Sequence, residues 1–279
     1  MAVAPVDRAS RRRARRYLMC RPEAFAVDYS INPWMRPSVP VHRARALRQW
    51  ESLVDCYRSL GHAVELIDPA PGLPDMVFAA NSALVLDGRV LAARFRHPER
   101  RGEEVPYRAW FASSGFTDIV VGTEPSEGEG DFAVAGDLIL AGYGFRSSPV
   151  AHEEAREVFG RRVVSLRLVD PRFYHLDTAL AVLDDGEIMW FPPAFSSESR
   201  HALRRLFPDA VAAEEVDALV LGLNAVSDGY HVVLPAQATG LAARLRARGF
   251  EPVPVDVSEL RKAGGGVKCC TLELRGGPT

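Results

Sequence analysis

No apolar run among the 279 residues approaches the roughly 20 that a membrane-spanning helix requires. A membrane partner is therefore not expected. Basic excess is missing too: 34 Lys and Arg stand against 36 Asp and Glu, a formal net charge of -2, without the surplus that a phosphate backbone demands. Nucleic acid is not an expected partner either. Cysteine is scarce, and Cys20, Cys56, Cys269 and Cys270 form no C-x-x-C pair. That leaves a disulfide framework or structural zinc without support, and a reducing cytoplasm fits best. No strand leads into G-x-G-x-x-G, and no G-x-x-x-x-G-K-[ST] occurs, which removes the usual nucleotide signatures.

What is present suits an ordinary globular chain, since 47% hydrophobic residues supply an ample core. The run "RRRARR" at Arg11 to Arg16 is followed by no continuous apolar segment, so residues 1–16 read as a solvated basic tail. Beyond it, short apolar stretches alternate with amphipathic ones, the order of an α/β protein. Strands are expected at 62–68, 76–88, 89–95, 137–144, 163–168, 178–186, 187–192, 218–222, 230–235 and 251–257. Helices are expected at 43–60, 102–114, 149–160, 196–206, 213–217 and 236–248. "LDGRV" and "DDGEI" carry the Asp-Gly pair of a hairpin turn. Two strands, a helix and a further strand recur at spacings near fifty residues, which suggests five units.

Four stretches could carry chemistry. If "FYHLDTALAV" is extended, His175 and Asp177 share one face, pairing an imidazole with an acid. In "SEGEGDFAV", Glu127, Glu129 and Asp131 share strand parity, and three such carboxylates repel unless a cation intervenes or one is protonated. "GLPDMVFAANSALV" places Asp75 and Asn81 around an apolar run, where a buried amide must find partners. Arg94, Arg96 and Arg146 follow strand candidates and could fork onto a carboxylate. Last, "GGGVKCCTLEL" read as a strand assigns Cys270 to the apolar face with Leu272 and Leu274. Cys269 is then left on the polar face beside Lys268, where a thiolate is stabilised.

In this order, "MCRPEAFAVDYSINPWM", "LPDMVFAAN", "EGEGD", "GYGFRSSP", "FYHLDTA", "GLNAVSDG" and "GGGVKCC" resemble the guanidine-modifying enzyme superfamily. That superfamily includes arginine deiminases, dimethylarginine dimethylaminohydrolases, amidinotransferases and arginine dihydrolases. The resemblance implies a single catalytic domain over residues 17–279, built as a five-module ββαβ propeller with pseudo-fivefold symmetry and its site at the centre. It implies Cys269 as nucleophile, His175 as acid and base, and Glu127 as the carboxylate that orients the imidazole. Glu129 competes for that last role, because the family's E-G-G-D reads E-G-E-G-D here. Arg146 matches a carboxylate-binding arginine, helped by Arg94 or Arg96, and Asp75, Asn81 and Asp177 join the substrate-binding set.

The implied reaction is hydrolysis of a guanidinium group through a covalent cysteine intermediate, without metal or organic cofactor. The expected partner is a small-molecule substrate, arginine or a methylarginine, and a homo-oligomer is left open. Dimethylarginine hydrolases typically carry Glu-Asp where Ala80 and Asn81 stand here, and deiminases carry Asp at the places of Asn81 and Asp177. Asn81 departs from both and looks most like the arginine dihydrolases, which take arginine to ornithine, carbon dioxide and ammonia. Arginine dihydrolysis is the first expectation, dimethylarginine hydrolysis the second and arginine deimination the third.

Overall fold

The structure is a computed structural model describing residues 8–278, so the first seven residues of the expected basic tail lie outside the described residues. Among the described residues fifteen strands, numbered in chain order, make five three-stranded sheets. Four are consecutive in sequence. One joins β3 (Ala83–Leu86), β4 (Arg89–Ala92) and β5 (Asp118–Val121), and the next β6 (Phe132–Ala135), β7 (Leu138–Tyr143) and β8 (Arg162–Arg167). The others are β9 (Leu180–Asp184), β10 (Glu187–Trp190) and β11 (Val211–Ala212), then β12 (Val226–Ser227), β13 (His231–Pro235) and β14 (Glu251–Val255). In each, the first strand is antiparallel to the second, and the second is parallel to the third.

The fifth sheet closes the ring. C-terminal β15 (Leu272–Glu273) pairs with β1 (Arg16–Cys20), which runs parallel to β2 (Ala63–Ile67). Each parallel pair is bridged by a helix, because parallel neighbours need a long crossover. The helix Arg43–Ser59 buries Ala46, Trp50, Leu53, Val54 and Tyr57, one stripe at three- and four-residue spacing. Val150–Phe159 buries Ala151, Ala155 and Phe159 likewise, and stops at Gly160 with φ +61°. The five expected units are thus present, and Asp87-Gly88 makes the anticipated tight turn with φ of +53° and +78°.

Strands β1, β5, β11 and β12 lie outside every expected strand, and the strands that were expected fail at one recurring place. Residues 76–82 form two 3-10 turns, Pro74–Val77 and Ala79–Ser82, instead of the start of a strand. Gly128–Asp131 and Leu176–Ala179 are single helical turns, and residues 267–270 are also a turn. The expected strand at 218–222 is the end of the helix Glu215–Ala218 and the turn after it. Side-chain hydroxyls favour several of these bends by bonding back to a carbonyl three or four residues earlier. Ser82 Oγ donates to Ala79 O at 2.7 Å, Thr178 Oγ1 to His175 O at 2.7 Å and Thr271 Oγ1 to Val267 O at 2.8 Å.

The remaining arginines of the expected tail do not hang free. Arg8 pairs with Glu187, Arg11 with Asp184, Arg12 with Asp228, Arg13 with Asp185 and Arg15 with Glu273, which lays the segment across three modules. No helix among the described residues is long and apolar enough to cross a membrane.

Candidate active site

Every module places a turn just ahead of its first strand, and these five turns touch one another in sequence order. Gly128 approaches the first turn so closely that a Cβ would lie 2.6 Å from Ala83 N and 2.7 Å from Ala80 O, and its φ is +52°. Asp131 Oδ1 accepts from Leu176 N at 3.1 Å, tying the second turn to the third. Asn224 Nδ2 donates to Asp177 O at 3.2 Å, and Asn224 Oδ1 accepts from Cys269 N at 3.1 Å. Ala80 N donates to Cys269 O at 3.0 Å and completes the circle.

Within this circle His175 Nε2 lies 2.7 Å from Glu127 Oε2. A carboxylate only accepts, so Nε2 carries the hydrogen and Nδ1 keeps its lone pair free. Glu127 is held from behind by Arg146 Nη1 at 2.9 Å. Burial opposes its ionisation, but Arg146 and the His175 imidazole outweigh burial and hold the carboxyl far below the usual range. Glu129 makes no bond to His175. It accepts from Lys268 Nζ at 2.6 Å, from Glu273 N at 3.1 Å and from the Arg275 guanidinium. Against the penalty of burial, those two cations keep it ionised below the usual range.

The Cys269 sulfur is 1% exposed and donates to Asp177 Oδ2 at 3.1 Å. Burial, reinforced by the Asp177 charge, pushes its thiol well above the ordinary value. Burial also raises Asp177, to about 7. Cys270 packs in the apolar cluster with Trp50 and Tyr57, a cluster that Cys269 also joins, so the two thiols differ in their polar contacts and not in cluster membership. Lys268, expected to support the thiolate, instead gives its ammonium to Glu129 and to Thr271 O. The donors on the sulfur are Asn224 Nδ2, at 3.0 Å, and the backbone N–H of Gly266.

Asn81 is held by a residue that sequence reasoning missed. Buried Arg100 donates to Asn81 Oδ1 at 2.7 Å, to Glu103 at 2.8 Å through two nitrogens, and to Asp75 O at 3.2 Å. A guanidinium has donors only, so the Asn81 amide oxygen must face it and Nδ2 is left over. Asp75 Oδ2 accepts from the Tyr29 hydroxyl at 2.8 Å. Arg146, expected on a substrate carboxylate, is spread between Glu127, Ile31 O at 3.0 Å and the face of Tyr174. Arg94 and Arg96 are exposed, with Arg96 N donating to Glu127 Oε1 at 3.3 Å.

Four buried polar atoms of this group have no partner in the protein: Asp75 Oδ1, Asn81 Nδ2, His175 Nδ1 and Asp177 Oδ1. Native interiors rarely leave such atoms unpaired, so the cluster is built for something that is not part of the chain. Three of them accept and one donates. A cavity of about 220 Å³ reaches Asp177 and Lys268 from among the hairpin ends at Gly136 and Asp185, without touching Cys269 or His175.

A family model described as "N,N dimethylarginine dimethylhydrolase, eukaryotic" matches residues 16–209. An N(G),N(G)-dimethylarginine dimethylaminohydrolase of Mycobacterium tuberculosis is 55% identical over 262 residues, spanning 94% of this chain and 86% of that protein. The bifunctional arginine dihydrolase/ornithine cyclodeaminase ArgZ of Synechocystis is 40% identical over 267 residues, which is 93% of this chain and 37% of that protein. Among solved structures, the substrate-bound N-terminal domain of cyanobacterial ArgZ matches with a TM-score of 0.90 at 38% identity, covering 94% of this chain and 99% of that one.

Proposed function

This chain belongs to the N,N-dimethylarginine dimethylhydrolase family of guanidine-modifying enzymes, and from that membership we propose the reaction it performs. It is a hydrolase of carbon–nitrogen bonds in linear amidines. The substrate is a free arginine-type amino acid, with asymmetric dimethylarginine as the leading reading: citrulline and dimethylamine are its products. The name of the 55% identical relative supports that choice over the dihydrolysis expected first from sequence.

The observation that carries the reading is the chemistry of the unpaired atoms. A guanidinium offers only N–H donors, and Asp75 Oδ1, Asp177 Oδ1 and His175 Nδ1 are acceptors without a donor. Seated there, the substrate cation lies against Cys269 and Asp177, and its charge favours the thiolate that burial otherwise disfavours. As the sulfur attacks the guanidinium carbon, the Cys269 thiol proton passes to the free Nδ1 of His175, which is aligned by Glu127 and hands that proton on to the departing amine, leaving an S-alkylthiouronium. The same imidazole then activates water, which releases the ureido product. Arg94 and Arg96, exposed near Glu127, are the candidates for the substrate carboxylate, and Arg146 holds Glu127 in place.

One observation favours a second reading, arginine dihydrolysis. Asn81 Nδ2 is a donor, which suits the oxygen of a ureido group and not another N–H. Asp177 beside the sulfur also suits a nitrogen that keeps its hydrogens, and a dimethylated nitrogen has none. Incubation with asymmetric dimethylarginine, arginine and citrulline, followed by mass analysis, separates the readings. Dimethylamine from dimethylarginine supports the first, ornithine from arginine and citrulline the second, and no turnover of any would sink both.

A further inference from the structure

Asn224 is fully buried in an apolar stretch, in the turn ahead of β12, and no role falls to it in the chemistry above. Its amide makes three bonds whose directions can be fixed without ambiguity. Cys269 N can only donate, so Oδ1 faces it at 3.1 Å. Asp177 O can only accept, so Nδ2 faces it at 3.2 Å. The second Nδ2 hydrogen is then left for the Cys269 sulfur, 3.0 Å away. A Cβ at Gly266 would lie 3.0 Å from Asn224 Oδ1, so the missing side chain there gives the amide its place beside the nucleophile turn.

The sulfur therefore sits between neighbours of opposite effect, Asp177 on one side and two donors, Asn224 Nδ2 and the Gly266 backbone N–H, on the other. Asp177 accepts the thiol hydrogen and opposes the thiolate, while the Asn224 N–H keeps its bond, strengthened, once the sulfur is charged. We propose that Asn224 is a catalytic residue of this site: its Nδ2–H stabilises the Cys269 thiolate and so sets the fraction of nucleophile available for attack. This rests on Cys269 being the nucleophile. Lys268 is engaged with Glu129 and Thr271 O and is not available for the task.

The test follows alkylation of Cys269 by iodoacetamide against pH, located by peptide mass, in wild type, Asn224→Ala and Asn224→Asp. Asn224→Asp matters most, because it is isosteric, keeps the oxygen that accepts from Cys269 N, and replaces the nitrogen that donates to the sulfur and to Asp177 O with an acceptor. A hydrogen bond to a charged group is worth enough that the alkylation midpoint should move up by about one pH unit in Asn224→Ala. In Asn224→Asp it should move further. Turnover of whichever arginine compound the enzyme accepts should fall at least about tenfold in kcat with KM little changed. Unchanged midpoints in the variants that fold overturn the proposal, as does loss of turnover with an unmoved midpoint, which would make Asn224 a structural staple only. If alkylated wild-type protein still turns over substrate, the nucleophile assignment itself fails. That outcome is seen in the wild type alone and is distinct from the variant comparison.

Discussion

At the scale of single residues, two neighbouring glutamates with the same exposure do different work. Glu127 and Glu129 are both buried, yet one meets an imidazole and the other meets two cations. Glu127→Gln should lower kcat by about 10²- to 10⁴-fold, the usual range for disabling an acid–base pair, as steady-state kinetics would show, and it should also lower stability because it leaves buried Arg146 against a neutral amide. Glu129→Gln leaves Lys268 and Arg275 facing a neutral amide in the interior. Its expected signature is a stability loss of about 3 to 5 kcal/mol in urea unfolding, since removing one partner strands buried charge. The adjacent cysteines divide likewise. Cys269→Ser should abolish turnover in a folded protein, whereas Cys270→Ser puts a hydroxyl into an apolar cluster and should lower stability by about 1 to 3 kcal/mol with kcat nearly kept.

At the scale of elements, the strands and crossover helices were largely legible because they repeat at periods of two and 3.6. The turns that hold the chemistry were not. His175 with Asp177, Glu127 with Glu129, and Cys269 against Cys270 were each sorted by strand parity, and every one of those residues lies on or beside a turn. The structure brings these residues onto neighbouring turns, and the strand geometry assigned to them is wrong. A one-turn helix of four residues has no periodicity to detect, and its apolar composition continues that of the strand it precedes. Asn224 could have been found by the reasoning that found Asn81, a lone amide in an apolar run. Arg100 could not, because "HPERRGEE" reads as a solvated helix start. The tightness of these turns makes Gly130 decisive: a Cβ there would lie 2.2 Å from Asn81 Nδ2 and 3.2 Å from His175 Nδ1. Since Gly130 has no positive φ, Gly130→Ala should leave far-ultraviolet circular dichroism unchanged while kcat falls by about 100-fold or more, the scale of a 1 Å misplacement.

At the scale of the whole molecule, the five strands that follow the turns begin at Ala83, Phe132, Leu180, Val226 and Leu272, so one position relative to each strand recurs around the ring. Glu127 and His175 each stand five residues ahead of their strand, and Asp177 and Cys269 each stand three ahead. The repeat brings interacting residues together from different modules, and pairing of β15 with β1 closes the ring around them. Closure also removes water from Asp177, which is why burial leads the causes that raise its carboxyl to about 7. In the unfolded chain that group returns to the ordinary range near 4, so between about pH 4 and 7 the folded state holds the extra proton. Stability from this group is therefore full below about pH 4, falls as pH rises and is lost once pH passes about 7. Asp177→Asn lacks the titration, and subtracting its unfolding free energy from that of the wild type cancels the distant groups. The difference should fall with pH by up to about 1.4 kcal/mol per unit across that window and level off above it. Urea unfolding at half-unit steps from pH 4 to 8 measures the slope. A flat difference would mean that Asp177 is ionised in the unliganded site, with the compensating charge already supplied by the protein.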